Sequence, residues 1–185
     1  LLLPLWTLVT TFDQTASDIE TKQARYLVFR TDRVSLYLGK SLGALALCAA
    51  SLGLALGVLS AFLAIKSGAL GGLSGALYVV RIWITAVLYT LPFIALLGLI
   101  GALIGRARRT ISVCMMVWVG SKIAAAVLKF ATDSTWQLEY LFPTTGRFDL
   151  MVDSVSIITP TAGYLLAYTA LTLTLGLAYF QRRDL

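Results

Sequence analysis

The stretch SLGALALCAASLGLALGVLSAFLAI, residues 41–65, runs for 25 positions without a charge. A hydrocarbon core about 30 Å thick takes about 20 apolar residues to cross as a helix. This run is long enough to cross with some tilt. Gly39, Gly43, Gly53 and Gly57 thread it at a small-residue spacing that suits close helix contact. The reading sets the fold class: an all-α, polytopic membrane protein.

The rest of the chain agrees. Of 185 residues, 58% are hydrophobic and 13% charged, where a soluble domain carries about 25% charged. So much apolar surface exceeds what a soluble core of this size can bury, so lipid is the solvent for much of it. A second span is expected over 76–105, with Arg81 near its start and Pro92 inside it. Gly105-Arg-Ala-Arg-Arg109 closes that span, and 66–75 is a glycine-rich turn. A third span is expected over 110–131, carrying Lys122 and Lys129, and a last over 161–180, followed by Gln-Arg-Arg-Asp-Leu. Segment 132–160 is too apolar for a free loop and too interrupted to span. It reads as two short helices dipping into the outer membrane surface, broken at Pro143 to Gly146. Leu1 to Phe12 is too short to span and lacks the basic flank of a signal peptide. It reads as the tail of an incomplete span, which would make this chain the C-terminal portion of a longer one.

Net charge is +6. In a soluble protein that balance would point to nucleic acid. Here the basic residues sit at the ends of apolar runs, the pattern that sets membrane topology, so no nucleic-acid partner is expected. Lys22, Arg25, Arg30, Arg33 and Lys40 lie in 13–40, Arg106, Arg108 and Arg109 in the turn near 105–110, and Arg182 and Arg183 at the C-terminus. Four complete spans put these three segments on one face, which is then cytoplasmic, with the C-terminus on the same side.

Catalytic patterns are sparse. Gly72-Leu-Ser-Gly75 matches the GxSG of intramembrane serine proteases, but the chain has no histidine to take the serine proton. The motif reads as a turn. No P-loop is present, so the chain binds no ATP in the usual way. Cys48 and Cys114 fall on different spans and read as small packing residues rather than a disulfide or a metal site. The chain is not expected to be an enzyme by itself or to bind a metal or cofactor. Lys122, roughly 12 Å of helix from the outer end of its span, has two readings. It snorkels to the outer surface, or it lines a polar pathway at a subunit interface. Arg81 has the same pair, interfacial anchor or pathway lining.

Residues 13–40, DQTASDIETKQARYLVFRTDRVSLYLGK, form the one long polar stretch near the start. Ser17 or Asp18 can cap a short amphipathic helix with Glu20 in its first turn. Such a helix lies on lipid, connects two spans, or docks a soluble partner.

The segment resembles the cytoplasmic signature of ABC-2-type ABC transporter permeases. Asp18-Ile19-Glu20, then Arg25-Tyr-Leu-Val-Phe-Arg30, then Asp32-Arg33, then Leu36-Tyr-Leu-Gly39-Lys40 stand for its acidic start, its middle and its closing Gly-Lys. Ala24 stands where glycine is common in the family, and Thr31-Asp32 where proline-valine is. The ending Phe180-Gln-Arg-Arg-Asp-Leu185 and the order of elements are similar too, so the resemblance covers essentially the whole chain. It implies an exporter permease half that dimerises with a second copy or homologue. It also implies a coupling helix in 13–40, outer re-entrant helices in 132–160, and a partner P-loop ATPase that holds ATP and Mg. Asp18, Ile19, Glu20, Arg25, Tyr26, Phe29 and Arg30 would make the ATPase contact. The location implied is a prokaryotic plasma (inner) membrane. The alternative is a noncatalytic scaffold or anchor subunit that has kept the permease fold.

Overall fold

The computed structural model describes residues 6–7, 10–11, 32–67, 72–131 and 155–182, and apart from short connections all of them are helical. The four long helices are α1 (Arg33–Ser67), α2 (Leu73–Ile104), α3 (Ala107–Ala131) and α4 (Val155–Arg182). Of these, α1, α2 and α4 are long and apolar enough to cross a membrane; α3, which holds the third span expected over 110–131, is not among them, Lys122, Lys129 and the arginines at its start lowering its hydropathy.

The helix that holds the span expected over 41–65 starts eight residues before Ser41. α1 begins at Arg33, where the Leu36 amide bonds to the Asp32 carbonyl at 3.0 Å. Residues 33–40 contain no proline, and each further residue of a started helix adds a hydrogen bond. The polar residues therefore continue the span rather than leading up to it. At 35 residues the helix is about 52 Å long and outruns a hydrocarbon core of about 30 Å.

α2 starts after Gly72, whose φ of 95° is open to glycine and strained for other residues. Ser74 of the GxSG motif is exposed in its first turn and Gly75 is buried beside it. The motif is a helix start. Pro92 sits inside α2 and is buried, and its ring leaves the Leu88 carbonyl without the usual helical donor. Gly105 ends the helix in the left-handed conformation (φ 66°), its amide bonding to Gly101 O at 2.9 Å. Only Gly105 and Arg106 separate α2 from α3, so α3 begins three residues before the expected Thr110.

α4 begins at Val155, ahead of the expected Thr161, and holds Pro160 inside it. Pro160 is the sixth residue of the helix, past its first turn, so it leaves the Ser156 carbonyl without the usual helical donor, as Pro92 does for Leu88. Residues 155–160, assigned from sequence to the outer hairpin, thus belong to α4. The rest of that hairpin, 132–154, lies outside the described residues.

α2 is the central helix. It packs most extensively on α4, then on α1, with α3 against it more lightly; α1 also touches α4. Burial follows that order. In the most apolar stretch of each span, 56% of α2 is buried, against 28% of α4 and 6% of α1. Three clusters hold the contacts. Tyr89 and Phe93 meet Leu165; Leu97 meets Cys114; and Ala102 meets Tyr37 and Phe180. These pairings run α2 parallel to α4 and antiparallel to α1 and α3. The outward faces are apolar, with Leu54, Val58, Phe62 and Ile65 of α1 and Leu171 and Leu175 of α4 all exposed. That is the surface a membrane helix presents to acyl chains. Hydroxyls on the helices fold back on their own backbone. Thr90 donates to Val87 O at 2.8 Å, Thr169 to Leu165 O at 2.7 Å and Ser41 to Tyr37 O at 3.0 Å. No donor is left facing an apolar medium at these positions.

Near its start the chain runs antiparallel to α1. Trp6 Nε1 bonds Ser51 Oγ at 3.4 Å, and Thr10 Oγ1 lies 3.4 Å from Cys48 Sγ.

Candidate functional site at the basic end of the bundle

Helix direction gathers charge. The start of α1, the end of α2, the start of α3 and the end of α4 share one end of the bundle. Arg33, Arg106, Arg108, Arg109 and Arg182 therefore lie together there. Lys66 ends α1 at the opposite end.

At this end α1 is fastened to α4 and α2 by two side chains one turn apart. Arg33 Nη1 donates to Gln181 O at 2.8 Å. A cation at a helix C-terminus meets orphan carbonyls and the negative end of the dipole. Tyr37 then enters between α2 and α4 and is 1% exposed. Its ring centroid is 5.8 Å from that of Phe180.

Two glycines make the space. A Cβ at Gly98 would stand 3.0 Å from Tyr37 Oη. One at Gly176 would overlap Oη, stand 2.9 Å from Cζ and 3.3 Å from the Leu99 Cα. Only glycine at 176 lets the ring and the α2 backbone come this close. Tyr37 Oη is buried without a hydrogen-bond partner among the described residues.

A second fastening lies further along α1. Trp83 Nε1 donates to Ala49 O at 2.8 Å, and a Cβ at Gly53 would stand 3.2 Å from that nitrogen. The Ala49 carbonyl has a second lone pair beyond its helical bond, and glycine four residues on leaves the indole room to reach it. Trp83→Phe keeps an aromatic ring, smaller than the indole, and removes the bond. It is expected to lower stability by at least about 1 kcal/mol, from the lost bond and the smaller ring together, read as a lower thermal midpoint in detergent, with faster amide exchange confined to the facing turns of α1 and α2.

Asp18, Ile19, Glu20, Arg25, Tyr26, Phe29 and Arg30 lie outside the described residues. Lys122 is on α3, its side chain also outside them. Arg81 is exposed on α2. Both are in the half of the bundle away from the basic end and take no part in the junction. Cys48 and Cys114 are free and buried on different helices. Sequence reasoning missed the Tyr37 socket. Its one signal was an aromatic residue just ahead of the apolar run, in a chain whose later helices carry isolated glycines.

Neither a protein-family model nor a curated protein matches the chain.

Proposed function

We propose that this chain is the membrane-spanning permease of an ABC transporter, moving a substrate across the membrane, in the direction of export, under the control of a partner P-loop ATPase. The observation that carries the reading is the junction at the basic end. Segment 13–31 leads directly into α1, and α1 is fastened there to α4 by Arg33 and to α2 and α4 by Tyr37. A push on the segment passes into the two most closely packed helices within a turn of where α1 begins. Concentration of arginine at this end supports a cytoplasmic placement, by the positive-inside rule.

In this reading residues 18–30 dock in a groove of the ATPase. ATP and Mg bind in that subunit, and its closure displaces the segment. α1, α2 and α4 stay joined at the basic end while α1 swings relative to α4 at the other, and the pathway opens against a second permease copy or homologue. Lys122 and Arg81, in the other half, are the charged candidates for its lining.

Purification in mild detergent with identification of co-purifying proteins tests this. A stoichiometric P-loop ATPase is expected with the native chain. It is expected to be lost from the combined variant Glu20→Lys, Arg25→Glu, Tyr26→Ala, which leaves the described helices untouched. An ATPase that stays bound to that variant removes the docking role of 18–30. The absence of any ATPase removes the transporter reading in favour of a scaffold subunit.

A further inference from the structure

We infer that the α2–α3 corner is a binding surface for anionic phospholipid headgroups. Arg106, Arg108 and Arg109 are all exposed there, and among the described residues none of them has an ion-pair partner. The imbalance is general: Asp32 is the one acidic side chain among the described residues, against ten Lys and Arg.

The placement of these charges is unfavourable unless an anion joins them. They occupy the connection and first turn of α3, which contains no acidic residue. A helix N-terminus is the positive end of the dipole, where cations are disfavoured and anions favoured. Three like charges in four positions also repel one another.

What continues from them selects the anion. Arg109, Val113, Met116, Gly120, Ile123 and Val127 follow one another at helical spacing, and all are exposed. The guanidinium therefore heads a row of apolar residues over more than four turns, with the Ser112 hydroxyl beside it turned back onto the Arg108 carbonyl. Leu103, exposed one turn back on α2, adds apolar surface on the other side of the corner. A cationic head above an apolar stripe complements a phospholipid, with phosphate at the arginines and acyl chains along α3. An acidic protein surface would match the charge but leave the stripe uncovered. The inference rests on the membrane reading and is independent of the transporter proposal.

The test uses the full chain in nanodiscs of phosphatidylcholine, with and without phosphatidylglycerol. Lipid retained through delipidating detergent is counted by mass spectrometry. Each basic residue at an anionic surface adds about 1 kcal/mol, so three give roughly a 100-fold preference for phosphatidylglycerol. That preference is expected to fall with salt. It is expected to vanish in Arg106→Gln, Arg108→Gln, Arg109→Gln and to survive in the matching triple lysine variant. All six changes are at exposed positions and keep good helix formers. Equal retention of the two lipids by the native chain overturns the inference, as does an unchanged preference in the glutamine variant. Displacement of the lipid by inorganic phosphate at low concentration would make this a small-anion site and also overturns it. If the glutamine variant keeps its lipid and loses a co-purifying protein, the corner is a protein interface and the lipid assignment fails.

Discussion

Gly176→Leu is expected to break the junction between α1 and α4, lowering stability by about 3 kcal/mol or more. The first added carbon already overlaps Tyr37 Oη and stands 3.3 Å from the backbone of Leu99. The tyrosine cannot back away freely, because Gly98 faces its hydroxyl on the α2 side and Phe180 lies beside its ring. Inserting volume into a packed site costs about 1–3 kcal/mol. Gly176→Ala falls within that range, and the larger side chain exceeds it. Thermal midpoint in detergent measures the loss. A second variant separates the socket from a general intolerance of bulk on α4. Tyr37→Ala empties the space, so Gly176→Ala added to it is expected to cost at least about 1 kcal/mol less than in the native chain, a coupling of the size that touching residues show. Strict additivity would mean that the two residues do not meet.

Tyr37 itself carries the second large effect, and its two replacements are expected to have opposite signs. Tyr37→Ala removes a fully buried ring from the meeting point of three helices, which costs about 3–5 kcal/mol. Tyr37→Phe keeps the ring and removes only a hydroxyl buried without a partner among the described residues. An unpaired buried hydroxyl carries a desolvation penalty of about 1–3 kcal/mol, so the phenylalanine variant is expected to melt higher than the native protein. A lower midpoint for Tyr37→Phe would show that the hydroxyl has a partner in the folded protein. Amide exchange over 33–40 reads the same change locally. It quickens in Tyr37→Ala, as the start of α1 comes loose, and slows in Tyr37→Phe.

Much of the fold was legible because the bilayer enforces a simple rule. Residues 41–65 read as a span because a charge-free run of that length can cross the hydrocarbon core, and they lie in α1, which is long and apolar enough to do so. The ends were harder. Arg33 to Lys40 look like a polar lead-in, yet they continue α1. Hydropathy marks the depth at which a residue sits, whereas the helix ends only where its hydrogen bonds end. Pro160 misled in the same way. It looks like a boundary, but α4 carries it inside, at the loss of one helical hydrogen bond. The common end of Arg106, Arg108, Arg109 and Arg182 was readable by counting reversals of the chain. The socket was not. Tyr37, Gly98 and Gly176 lie on three helices, and no local pattern says that two isolated glycines on α2 and α4 face one tyrosine on α1. Glycine at 53 was visible as a small residue in α1, but its service to Trp83 depends on the packing of α2.

In the proposed transporter, ATP binding in a partner subunit moves this bundle through segment 13–31 and the start of α1. Spin labels at Lys66→Cys on α1 and Leu166→Cys on α4, with Cys48→Ala and Cys114→Ala, report on this at positions away from the basic end. Both chosen positions are exposed. The measurement is the distance distribution between them in nanodiscs, with the protein that co-purifies, before and after ATP and vanadate. The distribution is expected to shift with nucleotide, and the shift to disappear when Glu20, Arg25 and Tyr26 are substituted. A distribution that does not respond to nucleotide, or that shifts equally in the substituted chain, would contradict the proposal.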